Sequence, residues 1–205
     1  MDMEKANPKL VVTLPRGVDP LAFARNAKSA GADLLEVRDD LTPHIHEIDS
    51  VASALPILLA RRTEQPLLQE LIECAEIVDQ DISLERQQIE GTREMLSLHA
   101  DMTLETEFAV NLWRSAATGD EAIKHVEPYE LGCELRLTRL QQVLNRIYSE
   151  VTVLAMGEGS AEARRLLSRW NSLHYCSLDE DTASAPGQPL LADEVVRLKR
   201  VKGNE

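Results

Sequence analysis

Apolar runs of strand character alternate with segments of helical spacing along the chain, eight of each. Such alternation is typical of parallel strands joined by crossover helices, and eight units can close into a barrel. The predicted strands are 9–15, 33–40, 56–64, 76–82, 96–103, 121–128, 150–158 and 173–181. The predicted helices are 19–32, 46–55, 66–75, 84–95, 104–116, 129–148, 160–170 and 191–201. The pattern therefore predicts a (β/α)8 barrel, the TIM-barrel fold.

The length of the chain limits how such a barrel can be built. A (β/α)8 barrel has about 250 residues, so 205 residues require short loops and a single domain over 1–205. A doubly wound open sheet is the alternative, but no glycine-rich phosphate loop follows the first strand. Two helices carry apolar stripes at helical spacing. The stripes are Leu104, Phe108 and Leu112, and then Leu131, Leu135, Leu140, Leu144 and Ile147.

Charge and composition narrow the class of partner. The formal net charge of −13 argues against nucleic acid or an anionic membrane surface, although local arginines can still bind an anionic substrate. Cys74, Cys133 and Cys176 lack metal or disulfide spacing, so we expect buried thiols in a reducing compartment. No apolar run reaches the roughly 18 residues that span a bilayer, which favours a cytoplasmic protein.

Polar side chains stand at the ends of the predicted strands, where the active sites of such barrels lie. Lys124 falls inside the apolar run AIKHV, and burial there would favour a neutral amine. His99 lies at the end of the preceding strand, and neighbouring strands of a barrel are about 5 Å apart. An amine beside an imidazole, ringed by arginines, suits Schiff-base chemistry on a ketone that bears a carboxylate. From spacing alone, Lys124 could equally be a surface residue, His99 a core histidine, and Arg62 a structural ion-pair partner.

Several motifs resemble type I 3-dehydroquinate dehydratases, over residues 9 to about 200. The resemblance is carried by GADLLEVRDD, PILLARRTE, LSLHADMT, AIKHV, LAMGEGSAEARRLLSRWNS and HYCSLDEDTASAPGQ, of which the SAPGQ stretch is the most specific. It implies a (β/α)8 barrel that forms a homodimer, binds a small-molecule substrate, and needs neither cofactor nor metal.

The resemblance also implies a role for each matched residue. Lys124 would form the imine with the substrate ketone, and His99 would transfer protons. The SAPGQ loop would fold over the substrate, and small residues there let the backbone approach it closely. Arg164 would hold the substrate carboxylate. Arg165 would take that role if the match to the family pattern shifts by one residue. The remaining implied substrate-binding residues are Glu36, Arg38, Arg62, Ser184 and Gln188.

The chain departs from the family pattern around these residues. Pro66 stands near the position of a glutamate that orients the histidine in the family, so Glu64 would have to substitute. His125 and Glu127 are expected beside Lys124. The stretch from 79 to 99 is shorter than in the family, which predicts a thinner helix before the fifth strand.

Other functions stay open at this point. The same lysine could serve a class I aldolase-like enzyme acting on another keto acid, and the altered support could belong to a non-catalytic relative that only binds a ligand. A metal pair at His44 and His46 lacks an evident third ligand. Asp79 and Asp81 could bind magnesium, but pairing with arginine is favoured.

Overall fold

Eight parallel strands form one sheet that curves into a barrel, in a computed structural model that describes residues 7–42, 45 and 47–202. The strands are β1 (Lys9–Thr13), β2 (Leu34–Arg38), β3 (Ile57–Arg61), β4 (Ala75–Asp81), β5 (Arg93–His99), β6 (Ala122–Pro128), β7 (Val151–Met156) and β8 (Leu173–Cys176). Neighbours in the chain are neighbours in the sheet, and β1 also pairs with β8. The predicted (β/α)8 fold is confirmed.

Seven α-helices cover the outside of the sheet in the described part of the chain. They are α1 (Pro20–Ala30), α2 (Ile48–Ala54), α3 (Gln69–Glu73), α4 (Thr106–Ala116), α5 (Glu134–Leu144), α6 (Ala161–Leu167) and α7 (Leu191–Lys202). Helix α1 shows how the sequence sets the ends: the Asp19 side chain accepts a hydrogen bond from Ala22 N, and Gly31 ends the helix in the left-handed region. Both residues are typical of those positions.

Side chains alternate between the barrel interior and the helices, as successive residues of a strand must. In β6, Ala122 and Val126 belong to the interior apolar cluster, and Lys124 lies between them. His125 points outward, where it accepts a hydrogen bond from Trp113 Nε1 at 3.1 Å, and its Nε2 lies 2.7 Å from Glu127. The expectation that His125 and Glu127 stand beside Lys124 is therefore wrong, because the odd positions face the helices.

Side chains complete the barrel between β7 and β8, the one neighbouring pair without a strand ladder in the described sheet. The Asn171 amide accepts from Val153 N at 2.8 Å and donates to Val153 O at 3.0 Å. Ser172 N donates to Val151 O at 2.9 Å, and Leu173 N donates to Thr152 Oγ1 at 3.1 Å. A buried asparagine thus satisfies the backbone that a neighbouring strand would otherwise pair.

The predicted helix at 84–95 is absent, because the chain crosses from β4 to β5 without one. Polar side chains hold this segment. The Gln80 side chain donates from Nε2 to Gln87 O at 2.8 Å and accepts at Oε1 from Gln87 N at 2.9 Å. The Arg61 guanidinium donates to the Glu85 carbonyl at 2.5 Å. Polar residues with Gly91 among them offer no apolar face for packing, so side-chain hydrogen bonds replace a helix. The shortening removes this helix rather than thinning it.

The apolar stripes of two helices differ from the prediction. Helix α5 begins at Glu134 and buries Leu137, Leu140, Gln141 and Leu144. Leu131 precedes it and is 95% exposed, and Leu135 lies on its far side at 71% exposure. In α4 the buried residues are Ala109, Val110 and Trp113, while Phe108 is exposed. In α5 the predicted Leu140 and Leu144 are buried, but Leu137 and Gln141 complete the buried face in place of Leu131 and Leu135. Helix α4 packs through a face rotated from the predicted stripe.

The cysteines fit the prediction in two of three positions. Cys133 and Cys176 are buried free thiols, but Cys74 is partly exposed at the end of α3, where its thiol donates to Asp49. None of the described helices is long and apolar enough to cross a membrane.

The barrel closure gives a stability prediction. Asn171→Ala leaves Val153 N–H and C=O buried without their partner, and each such loss costs about 1–3 kcal/mol. We expect urea denaturation to show a correspondingly lower free energy of unfolding. Asn145→Ala is the control, since that half-buried amide makes one long bond, 3.4 Å to Trp170 O, and should cost less than about 1 kcal/mol. Equal losses in the two variants would contradict the closure role.

Candidate active site

A cavity opens at the carboxyl ends of the strands, where active sites of this fold lie. It encloses about 410 Å³, including its open mouth. Apolar walls come from Val126, Leu154 and Met156. The structure brings all eight sequence-predicted site residues to this cavity: Glu36, Arg38, Arg62, His99, Lys124, Arg164, Ser184 and Gln188.

Lys124 lies on the cavity floor and is 2% exposed. Its Nζ donates to Asp79 Oδ2 in a short contact, lies 3.6 Å from Glu36 Oε1, and donates to Tyr175 Oη at 3.2 Å. The sequence predicts burial of the Lys124 amine, but it does not predict the two carboxylates that lie beside this amine. Because a buried cation needs a counter-charge, Asp79 and Glu36 make a buried lysine tolerable here.

Arg62 completes a buried group of two cations and two carboxylates with Lys124, Asp79 and Glu36. Its Nη2 lies 2.5 Å from Asp79 Oδ2 and 4.0 Å from Glu36 Oε1, and its Nη1 donates to Ser97 Oγ at 3.2 Å. Burial opposes its charge, but Asp79 and Glu36 outweigh burial and raise the pKa of Arg62. Burial likewise opposes the Asp79 charge, yet Arg62 and Lys124 lower the pKa of that carboxyl. We call these four residues the ion cluster.

Tyr175, a residue of β8, lies beside Lys124. Its hydroxyl accepts from Lys124, and the Lys124 Nζ stands 5.0 Å from the ring centroid. Burial, together with the negative charges of Glu36 and Asp79, raises the pKa of Tyr175 well above its ordinary value. The hydroxyl therefore stays protonated and can donate a hydrogen bond into the cavity.

The other cavity arginines differ in whether a carboxylate already holds them. Arg38 makes two bonds to Asp40, at 2.8 and 3.0 Å. Arg164 is 2% exposed and donates to Ala155 O at 2.8 Å, but no carboxylate of the described residues pairs with it. Burial lowers the pKa of Arg164 to about 10, so it remains charged at neutral pH. Arg165 faces outward onto Glu194 at 2.8 Å, so Arg164 and not Arg165 reaches the cavity.

His99 stands at the cavity mouth with 30% of its side chain exposed. Its Nδ1 lies 2.7 Å from Asp81 Oδ2, whereas the Glu64 side chain is exposed and makes no hydrogen bond to this histidine. Partial burial, with the nearby Lys124 and Arg62 charges, lowers the pKa of His99 although Asp81 opposes the shift. The imidazole is therefore neutral at neutral pH, with Asp81 rather than Glu64 as its partner.

Hydrogen bonds tie the SAPGQ loop to the ion cluster. Gln188 Nε2 donates to Ser184 Oγ at 3.0 Å, Ser184 Oγ donates to Thr13 Oγ1 at 3.0 Å, and Thr13 Oγ1 donates to Glu36 Oε2 at 2.7 Å. Gln188 Oε1 also accepts from Ser184 N at 2.9 Å. Ser184 and Gln188 thus bond to each other, and the loop is linked through Thr13 to Glu36, the residue beside Lys124.

Sequence reasoning missed part of this site. Asp79 and Asp81 stand out as two carboxylates of one strand that both point inward, and the predicted pairing with arginine holds for Asp79 only. Thr13, Ser97 and Tyr175 carry no signal of their own, because strand register decides which side chains meet. No cluster of three metal-ligating side chains occurs among the described residues, and His44 and His46 lie outside that part of the chain.

Comparison with known proteins gives a match in structure alone. No protein-family model matches the sequence, and no curated protein matches it significantly. Among solved structures, 3-dehydroquinate dehydratase from Geobacillus kaustophilus HTA426 matches with a TM-score of 0.73 and 19% identity, over 96% of this chain and 92% of that one. The Aquifex aeolicus VF5 enzyme of the same name has a TM-score of 0.68 and 21% identity, over 94% and 97%.

A third structure is the type I 3-dehydroquinate dehydratase from Clostridium difficile with covalently modified comenic acid. Its TM-score is 0.69 at 15% identity, over 98% of this chain and 95% of that one. Dihydropteroate synthase and orotidine 5′-monophosphate decarboxylase also match, at TM-scores of 0.57 and 0.55. At these identities the likeness establishes the barrel fold, which several chemistries share.

The SAPGQ loop gives a prediction about its own order. Gly187 has φ +76, and a Cβ there would lie 2.5 Å from Gly157 O and closer still to Ser160 Oγ. Gly187→Ala should push the loop off the β7–α6 connection, so amide hydrogen exchange over 182–190 should become faster. Gly91→Ala is the matched control, because it has φ +77 and open space around the added Cβ. Unchanged exchange in Gly187→Ala would mean that this contact does not hold the loop.

Proposed function

We propose that the chain is a 3-dehydroquinate dehydratase that converts 3-dehydroquinate to 3-dehydroshikimate and water through an imine on Lys124. One observation carries the proposal. Eight residues chosen from the sequence by their resemblance to that family line a single cavity, with the lysine on its floor. The three dehydratase structures of similar fold support it further.

Lys124 forms the covalent link in this proposal. The Lys124 ammonium first gives a proton to Asp79 Oδ2, to which it already donates a hydrogen bond, and the neutral amine attacks the substrate ketone. Asp79 then returns that proton to the carbinolamine oxygen, which leaves as water, and a protonated imine remains. The nitrogen of that imine is Nζ itself, which lies beside the negative charges of Asp79 and Glu36. Tyr175 Oη, 3.2 Å from Nζ, donates to the oxygen that leaves the carbinolamine as water. The cluster thus stabilises a positive charge that persists through the covalent steps.

His99 moves the protons of the elimination. The imine acidifies the neighbouring carbon, since the electron pair left by its proton can enter an enamine. A neutral imidazole removes that proton through Nε2, because Nδ1 is held by Asp81. The imidazolium then gives a proton to the departing hydroxyl, which leaves as water when the enamine returns to the imine. Water finally hydrolyses the imine and frees Lys124.

Arg164 and the SAPGQ loop hold the substrate. A guanidinium matches a carboxylate with two parallel hydrogen bonds, and Arg164 is the buried arginine of the cavity with no carboxylate partner among the described residues. Ser184 and Gln188 would exchange their mutual bonds for bonds to the substrate. Arg38 and Arg62 act mainly through Asp40 and the ion cluster, shaping the field around the bound anion.

The Lys124 prediction tests the reaction class. Wild-type protein incubated with dehydroquinate and borohydride should gain one reduced adduct on Lys124, seen by peptide mass spectrometry. Lys124→Ala should form no adduct and lose turnover to background, because the nucleophile is gone. Lys28→Ala, at an exposed position of α1, should behave as wild type.

The same experiment separates the rival functions. An adduct with another keto acid but none with dehydroquinate would favour the aldolase-like reading. No adduct with either, from a folded protein that still binds the ligand, would favour a non-catalytic binding protein. An adduct on a different lysine would contradict the assignment of Lys124.

The Arg164 prediction separates binding from folding. Arg164→Met removes a buried cation that has no carboxylate partner in the described part of the chain, so the melting temperature should not fall appreciably. Affinity for dehydroquinate should drop about 10- to 100-fold, as hydrogen bonds to a charged group are worth about 1.5–3 kcal/mol. Calorimetric binding to the Lys124→Ala background measures this without turnover. Unchanged affinity would assign the carboxylate to another residue.

A further inference from the structure

We propose that Asp81 is the positioning residue for His99, fixing the imidazole as the tautomer that carries its proton on Nδ1. The proposal deepens the dehydratase function above and rests on it for its kinetic consequences. The tautomer of His99 can also be measured by itself, without turnover.

The geometry around Asp81 assigns a different partner to each carboxylate oxygen. Oδ2 lies 2.7 Å from His99 Nδ1. Oδ1 accepts from Ser83 N at 3.0 Å and from Ser83 Oγ at 2.7 Å. Two donors therefore hold Oδ1, and the carboxylate cannot rotate away from the histidine without losing them. Because an ionised carboxylate only accepts hydrogen bonds, Nδ1 must be the protonated nitrogen of neutral His99.

The tautomer decides what His99 can do. With the proton on Nδ1, the lone pair of Nε2 is free to act as a base toward the cavity. Asp81 does not line the cavity, so it acts through the histidine and not on a ligand directly. Its side chain is 10% exposed, which limits competition from water for the shared hydrogen bond.

The path of the chain explains why this carboxylate is available. Strand β4 ends at Asp81, and Leu84 N donates to Asp81 O at 3.1 Å, which closes a tight turn. Ile82 N donates to Ser97 O at 2.8 Å and keeps the turn against β5, whose last residue is His99. The connection from β4 to β5, which contains no helix, thus holds Asp81 beside the end of β5.

Asp81→Asn is the decisive variant, since it keeps the shape and reverses one hydrogen bond. The two Ser83 donors require an acceptor at Oδ1, so the amide oxygen takes that position and the NH₂ group faces His99 Nδ1. Nδ1 must then accept, which moves the proton to Nε2 and blocks the base. We expect ¹⁵N NMR to find neutral His99 protonated on Nδ1 in wild type and on Nε2 in Asp81→Asn.

Kinetics give a second measurement. Turnover of dehydroquinate by Asp81→Asn should fall about 10²- to 10⁴-fold, the range of a lost proton-transfer group, with KM nearly unchanged. The groups that face His99 are Asp81 and Asp79, which raise its pKa, and Lys124 and Arg62, which lower it. Removing the Asp81 charge lowers this pKa further. Since His99 must start neutral, the remaining activity should persist to lower pH than in wild type.

The controls separate positioning from stability and from the proposed function. Glu64→Gln changes an exposed carboxylate and should leave tautomer, rate and pH profile as in wild type. Wild-type turnover in Asp81→Asn, or a lowered rate with the proton still on Nδ1, would overturn the role of Asp81. Should wild type fail to turn over dehydroquinate, the dehydratase proposal falls, while the two spectra still decide the tautomer. Circular dichroism and thermal melts verify that each variant is folded.

Discussion

The ion cluster is the interaction on which the rest of the structure depends. Lys124, Arg62, Asp79 and Glu36 bring two cations and two carboxylates into the barrel interior, from or directly after strands β6, β3, β4 and β2. Any one of these charges alone would be costly to bury, whereas paired charges with hydrogen bonds are tolerated. The strands must therefore keep one register, because a shift of one residue would turn these side chains toward the helices. The charges that serve the proposed chemistry thus also constrain the fold.

The helical layer has more freedom than the sheet. Between β4 and β5 no helix covers the strands, and glutamine and arginine side chains bond to the backbone instead. Between β7 and β8 the Asn171 amide takes the place of a ladder. Each substitution satisfies backbone groups that a helix or a strand ladder would otherwise pair, which is a requirement that the fold has to meet. A chain of 205 residues can therefore keep eight strands with fewer helices.

The sequence predicts the strands well because each is a short apolar run that ends in polar residues, as PILLARRTE shows for β3. It predicts which residues reach the cavity because the carboxyl ends of all strands meet there. It does not predict partners: Asp81 and His99 are 18 residues apart, and only the turn after β4 brings them together. The sequence predicts a helix at 84–95 because this segment has helix-forming residues. No helix forms there, because the segment has no apolar face that could pack against the sheet. Leu131 and Leu135 do not belong to the buried face, because Leu131 precedes α5 and Leu135 lies on the exposed side of that helix.

The loop contacts bear on selectivity more than on affinity. Ser184 and Gln188 bond to each other, and Ser184 reaches Glu36 through Thr13. A ligand that takes these groups exchanges one set of hydrogen bonds for another, so the net gain per bond is small. A ligand that breaks these bonds but lacks matching hydroxyls would leave Ser184 and Gln188 without partners, which costs more than the matched ligand gains. The same exchange would reach Glu36, next to Lys124. Recognition at the loop and charge at the nucleophile are thus joined by one chain of hydrogen bonds.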